Sequence, residues 1–313
     1  MGRTLLILLA GFAASFGVLA MSKNQRLVDS VDQMVDQFAG YNAQNAAASG
    51  AYMALHKLYK DPTWRAGYSS LVIGGNTLTV TVKDDSLGTT PLAHRLKIRA
   101  SAGNVDASDL TQVSVFDAPF HDFAVWAKDT AITVVTKDST GILDPGLLIQ
   151  NAPFMPKIDK TGLVSEATAQ GYVFDTESDV EIGGSHFHPS SGFPNNSFYH
   201  DSTAISQVPN VIHVQGDLHI RDGRTVYGIF VVEGNVLLNE DAHIKGVIYL
   251  PNTSSRVYNR ENAGSKITGG IVTWGEVDGD GFPIDVKHNP KFMRALVSNY
   301  APDNPPIRVL SWK

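Results

Sequence analysis

Two histidines at i and i+2 project from one side of an extended strand. His186 and His188, with His200 and Asp201 further on, therefore carry the residue types of a metal site. A polar loop that happens to hold histidines fits the same residues, and no metal is assigned. Asp278-Gly279-Asp280-Gly281 begins with calcium-loop spacing, but Phe282 stands at the next ligand position and no helices flank it, which leaves an acidic turn. Lys266 and Arg221 are the basic residues that a polysaccharide-cleaving β-solenoid would set beside a carboxylate ladder, and nothing clusters around them in sequence. Phe187, Phe193, Phe198 and Tyr199 crowd a Pro-, Ser- and Asn-rich stretch, suited either to contact a sugar or a neighbouring subunit or to fold down as a satellite cluster. Nucleophile elbows, phosphate-binding loops and His-Glu-x-x-His are absent from the sequence. The expectation is a protein that is not an enzyme, with no catalytic residues and no cofactor.

The chain of 313 residues is 43% hydrophobic and 18% charged, enough for one large or two ordinary cores. A net charge of -6 argues against nucleic acid as a partner. With no cysteine, thiolate chemistry and disulfides are excluded, and stability must come from burial and hydrogen bonding.

The elements that would position any site begin with an uncharged run over residues 4–21, built of Leu5, Leu6, Ile7, Leu8, Leu9, Phe12, Phe16, Val18 and Leu19. Eighteen residues make ~27 Å of helix, at the short end for a membrane span. A cleaved secretory signal or a plain anchor would have the same composition. Residues 22–59 continue it: Leu27, Val31, Met34, Phe38, Tyr41, Asn45, Ala48, Tyr52, Leu55 and Tyr59 repeat every seven residues as one amphipathic stripe. Pro62 ends the helix. Gly11, Gly17, Gly40 and Gly50 are expected to bend or melt it locally.

Gly2-Arg3-Thr4-Leu5-Leu6, the uncharged stretch and the polar helix ending Asn45-Ala46-Ala47-Ala48-Ser49-Gly50-Ala51-Tyr52-Met53-Ala54-Leu55 together resemble the N-terminal region of type IV pilin-like proteins, especially the PilX-like branch. The resemblance covers about the first sixty residues. It implies processing between Gly2 and Arg3, a period in the inner membrane with the pilus assembly machinery, and then self-association as a helical homopolymer. Two features depart from that family: the leader would be two residues long, and Ile7 stands where a glutamate is usual, so the charge pairing attributed to that glutamate cannot occur.

After Pro62 the period changes to two. Leu71 and Ile73, then Leu78, Val80 and Val82, form a hairpin about Gly74-Gly75-Asn76, and Leu96, Ile98 and Ala100, then Val113 and Val115, extend it to a four-stranded antiparallel meander with one apolar face. From residue 119 an eighteen-residue repeat emerges. It aligns Ile212 with Phe230 and Ile248, Val214 with Val232 and Leu250, Leu218 with Val236, Ile220 with Leu238, and Gly228 with Gly246. Residues 267–272 continue it after an insertion, and a partial copy sits at 123–134. Stacked copies share a core that one copy cannot close, so the reading is a small parallel β-helix, with a β-sandwich as the alternative. Its Gly-Asp-Leu and Gly-Asn-Val corners resemble bactofilin-like repeats.

The sequence thus reads as an α+β chain: a long N-terminal helix over 1–61, an antiparallel meander packed on it over 62–118, and a β-helix over 119–313 with a loop insertion at about 138–210. Residues 301–312 are expected to cap the open end of the solenoid. The filament-core helix is assigned to the apolar run with Leu27, Val31 and Met34; Tyr52, Leu55 and Tyr59 are assigned to pack on the head. The function expected is the subunit of an extracellular filament on the cell surface, used for attachment and open to a surface glycan ligand. The alternatives are a membrane-anchored carbohydrate-active enzyme and a non-polymerising adhesin.

Overall fold

The computed structural model describes residues 2–87, 90–174, 180–182, 194, 197–200, 208–220, 223–260 and 264–313. The chain forms two compact units, residues 1–117 with 307–313, and residues 118–306.

In the first unit, helix α1 (Gly2–Lys60) is followed by β1 (Tyr68–Ile73), β2 (Asn76–Leu87), β3 (Thr90–Gly103) and β4 (Ser108–Phe116). Helix α1 has 59 residues, ~88 Å at the usual rise. It runs unbroken through all four glycines that were expected to bend it. At Gly50 the reason is contact: a Cβ there would lie 2.6 Å from the Leu78 side chain, so glycine is what lets helix and sheet approach. Gly74 and Gly75, both at positive φ, make the β1–β2 turn. Successive antiparallel pairings then put Leu78, Val80, Val82, Leu96, Ile98, Ala100, Val113 and Val115 on one buried face.

The end of the chain departs from expectation. The strand Arg308–Trp312 does not cap the solenoid; it pairs antiparallel with β4 and makes the meander a five-stranded sheet. An edge strand left open on β4 would have presented unpaired backbone groups. Ile307 enters the same core at 8% exposure.

The second unit contains β5 (Val125–Ala127), β6 (Ala131–Ile132), β7 (Val134–Lys137), β8 (Leu148–Ile149), α2 (Lys160–Gln170), β9 (Val173–Phe174), β10 (Val180–Ile182), β11 (Val211–Val214), β12 (Leu218–Ile220), β13 (Thr225–Val232), β14 (Val236–Leu238), β15 (His243–Leu250), β16 (Arg256–Asn259), β17 (Lys266–Thr273), β18 (Glu276–Asp278), β19 (Ile284–His288) and α3 (Pro290–Tyr300). Among the described residues every strand-to-strand ladder in this unit is parallel, which excludes the sandwich and establishes a solenoid.

The register is the one the repeat implies: Ile212 beside Phe230, Phe230 beside Ile248, and Gly228 beside Gly246. The long strands turn a corner at Gly228, Gly246 and Gly269. The first half of β17 pairs with β19 and its second half with β5, so each long strand serves two faces. A Cβ on Gly246 would collide with the Gly228 carbonyl, and one on Gly269 with the Gly246 carbonyl. The third face is the six-stranded sheet β10-β12-β14-β16-β18-β6. Side chains bond rung to rung at a further corner, where Asp217 accepts from the Asn235 amide (2.6 Å) and Asn235 from the Arg256 amide (3.0 Å).

Ile212, Val214, Leu218, Ile220, Phe230, Val232, Val236, Leu238, Ile248 and Leu250 lie in one fully buried cluster. The early partial copy is also present, but β5, β6 and β7 stack on β17, β18 and β19: the first copy in sequence lies next to the last. Within the segment read as loops, α2 is a helix. Asp159 caps it by accepting from the Gly162 amide, Gly171 ends it in the left-handed conformation, and Leu163 and Ala167 are buried. Eleven residues with Gly and three Thr or Ser give too weak a periodicity to announce it.

Candidate functional site

The largest chemical asymmetry in the first unit is along α1. All described side chains from Leu5 to Phe38 are exposed, among them Leu8 at 60%, Phe12 at 67%, Val31 at 55% and Phe38 at 80%. Leu5, Leu6, Ile7, Leu9, Phe16, Val18, Leu19, Leu27 and Met34 share this exposure. By length and apolarity α1 can cross a membrane: its most apolar window has a mean hydropathy of 2.2 and none of it is buried. Arg3, with Lys23 and Arg26, brackets the apolar run, while Gly2 and Arg3 begin the helix itself.

Further along, the sheet takes one side of the helix. Ala43, Ala46, Ala47, Ala51, Ala54 and Leu58 are buried against it, with Gly50 among them. The assignment of Tyr52, Leu55 and Tyr59 as the head-packing face holds in part: Leu55 packs against this core and Tyr52 against Trp312 of the sheet, but the buried side is made of the small residues. Tyr52 is 64% exposed and Tyr59 57% exposed, so the tyrosines lie at the rim. Small side chains allow the helix axis to come close to the strands, which tyrosines would prevent. Tyr52 meets Trp312 ring to ring at 4.7 Å.

At 100° per residue the alanine side lies about 150–180° round the helix from the stripe of Leu27, Val31, Met34, Phe38, Tyr41 and Tyr52. From Leu27 to Tyr41 the stripe is clear of the sheet, which packs mainly on the opposite side, whereas Tyr52 and Leu55 further along touch the head. Asp29, Asp32 and Asp36 fall in line with the alanine side, before the sheet begins.

The other sequence candidates separate. His186, His188, Phe187, Phe193, Asp201 and Arg221 lie outside the described residues. His200 Nδ1 is 3.2 Å from Asn210 Oδ1, and its ring stands edge-on to Tyr172. Phe198 is 4% exposed and stacks on Phe292 at 4.2 Å, while Lys291 sits over the Tyr199 ring, so this pair belongs to a satellite cluster on α3. Asp278 accepts from the Asp280 amide (2.9 Å) within a turn. Among the described residues no three acidic or histidine side chains gather as a metal site.

One polar cluster escaped sequence reasoning. Glu233 receives Lys160 from α2 (2.9 Å) and lies 3.2 Å from both His213 Nε2 and Asn252 Nδ2. Burial would raise the Glu233 carboxyl, but the bonds from Lys160 and His213 outweigh it and hold the group below its ordinary range. Glu233 and its three partners come from four separate stretches of chain, so no sequence signal marks the cluster. It ties α2 to the solenoid and contains no nucleophile.

No protein-family model matches the chain, and no curated protein matches it. Among solved structures, the crystal structure of the competence-associated pilin ComZ from Thermus thermophilus is similar to it at 10% identity and a TM-score of 0.28, over 88% of this chain and 97% of that one. So loose a superposition does not establish a common fold.

Proposed function

We propose that the chain is the subunit of an extracellular filament resembling type IV pili, polymerising through α1 and displaying the sheet and the solenoid. The observation that carries this reading is the apolar stripe of α1: from Leu27 to Tyr41 it stays exposed, on the side of the helix away from the small residues that the sheet covers. A plain anchor needs an apolar run and nothing more. Here Leu27, Val31, Met34, Phe38 and Tyr41 extend ~30 Å beyond it, at the seven-residue spacing with which helices pack on one another. In the inner membrane the run from Leu5 to Leu19 meets lipid; in the filament the same side chains and the stripe meet other copies. The displayed head then serves attachment.

Electron microscopy of material sheared from expressing cells tests the reading. The full chain yields filaments and a chain lacking residues 1–23 yields none. Filaments from the shortened chain, or only membrane-bound monomers from the full one, would refute it.

A further inference from the structure

The two units differ in charge. Residues 1–117 and 307–313 hold 12 Lys and Arg against 9 Asp, and residues 118–306 hold 13 Lys and Arg against 22 Asp and Glu, so +3 on the first unit accompanies -9 on the second. Register gathers much of the positive charge on one side of the sheet. In β3, Leu96, Ile98 and Ala100 point into the core against α1, which turns Arg95, Lys97 and Arg99 to the other side. In β2 the same alternation turns Thr77, Thr79, Thr81 and Lys83 outward, with Lys83 directly opposite Lys97 and Thr81 opposite Arg99. At ~6.8 Å between alternate residues of a strand and ~4.8 Å between strands, these four cations occupy about 14 by 5 Å. Lys83 and Arg99 are exposed, and Arg95 and Lys97 are partly so.

Like charges directly opposite on neighbouring strands destabilise a sheet. Asp85, 4.0 Å from Lys97, offsets one of the four. The remaining repulsion is carried by the isolated head, and an anionic surface laid over the face would relieve it. A bilayer is out of reach: the apolar run ends at Met21 and the first buried side chain after it is Ala43, ~33 Å along the helix and several Debye lengths away. Single-stranded nucleic acid is held by aromatic platforms, and the outward residues from Thr77 to Lys83 and from Arg95 to Ser101 include no aromatic ring. The solenoid of another copy carries the opposite sign, with Asp129, Glu240, Asp241 and Asp280 among its exposed carboxylates. Assembly through α1 would hold heads at the high local concentration that weak, exposed ion pairs need.

We propose that the outer face of the sheet docks against the acidic solenoid of a neighbouring copy. The proposal rests on the filament reading and adds to it a second interface, made by the heads rather than by α1. Because sheet and solenoid are different surfaces, the contact is heterologous, and it repeats along an open assembly instead of closing a pair.

Zero-length carbodiimide coupling, which joins a lysine amine to a carboxylate in contact with it, tests this in filaments assembled from a mixture of unlabelled and nitrogen-15-labelled full chains. The expected products are mixed-isotope peptides that join Lys83 or Lys97 to a carboxylate of residues 118–306. Arg95→Gln with Arg99→Gln leaves both reporter amines in place and should cut the mixed yield about fivefold, as should raising salt to ~1 M before coupling. Arg95→Lys with Arg99→Lys should retain it. The double Gln variant, dispersed in neutral detergent, should melt at an unchanged temperature, separating charge from folding. Filaments whose coupled peptides all carry one isotope, or whose mixed yield ignores the double Gln variant, would overturn the proposal and leave the α1 interface standing; no filaments from the full chain would overturn both. Binding of anionic vesicles or of an oligonucleotide that depends on Arg95 and Arg99, without mixed-isotope peptides, would overturn the choice of partner.

Discussion

Phe38→Asp separates the two sides of α1. In the single chain Phe38 is 80% exposed, so its replacement costs the head no more than ~0.5 kcal/mol and leaves its melting temperature within about 2 °C. If the stripe is a subunit interface, each copy loses the burial of an aromatic side chain, roughly 2–3 kcal/mol, and must also desolvate a carboxylate at a comparable cost. A total near ~5 kcal/mol raises the concentration needed for assembly by between three and four decades. The counterpart is Ala54→Leu, at a site of 0% exposure under the sheet, where overpacking costs ~1–3 kcal/mol and lowers melting by roughly 4 °C per kcal/mol while leaving the stripe intact. Both variants are read by thermal melts in detergent and by counting sheared filaments. Normal filaments from Phe38→Asp, or a head destabilised by it, would refute the division of the helix.

Three further outcomes follow from the geometry. Gly246→Ala should unfold the solenoid, because its Cβ would meet the Gly228 carbonyl in the stack, whereas Gly281→Ala, with open space around it, should cost only the ~1 kcal/mol of its positive φ; limited proteolysis and melting compare them. Burial, with Glu166 nearby, pushes the Tyr300 hydroxyl from 10.0 up to about 12, so the folded state favours the neutral phenol; that contribution is complete below pH 10 and is lost as pH rises toward 12. Denaturant midpoints on either side of this window should converge in Tyr300→Phe, and an unchanged alkaline loss would contradict the assignment. Lys23 and Arg26 lie about eight residues, ~12 Å, before Asp29, Asp32 and Asp36, so parallel copies attract when offset by that distance and repel in register. Reversing either set should suppress filaments and reversing both should restore them; filaments unaffected by the single reversals would sink that offset.

Much of the fold was legible where large side chains or glycines recur at a fixed period. The eighteen-residue offset alone places Gly228 on Gly246 and Phe230 on Ile248, since a slip of one residue would turn every aliphatic outward. What escaped depended on contacts remote in sequence or on residues of weak signal. Arg308–Trp312 returns to β4 across nearly two hundred residues, and the copy at 125–137 stacks on the last rung rather than the first described one. The alanines that make most of the packing face of α1 went unread because periodicity weighs Tyr and Leu above Ala, whereas the sheet selects the smallest side chains.

The absence of native cysteine makes the interface directly measurable by thiol labelling. Met34→Cys, Ala54→Cys and Asp280→Cys place a single thiol on the stripe, under the sheet and on an exposed solenoid turn, respectively. If α1 assembles through the stripe, a maleimide modifies Met34→Cys in dispersed chains and not in intact filaments, leaves Ala54→Cys unmodified in both, and modifies Asp280→Cys in both. Equal labelling of Met34→Cys in chains and filaments would contradict the account.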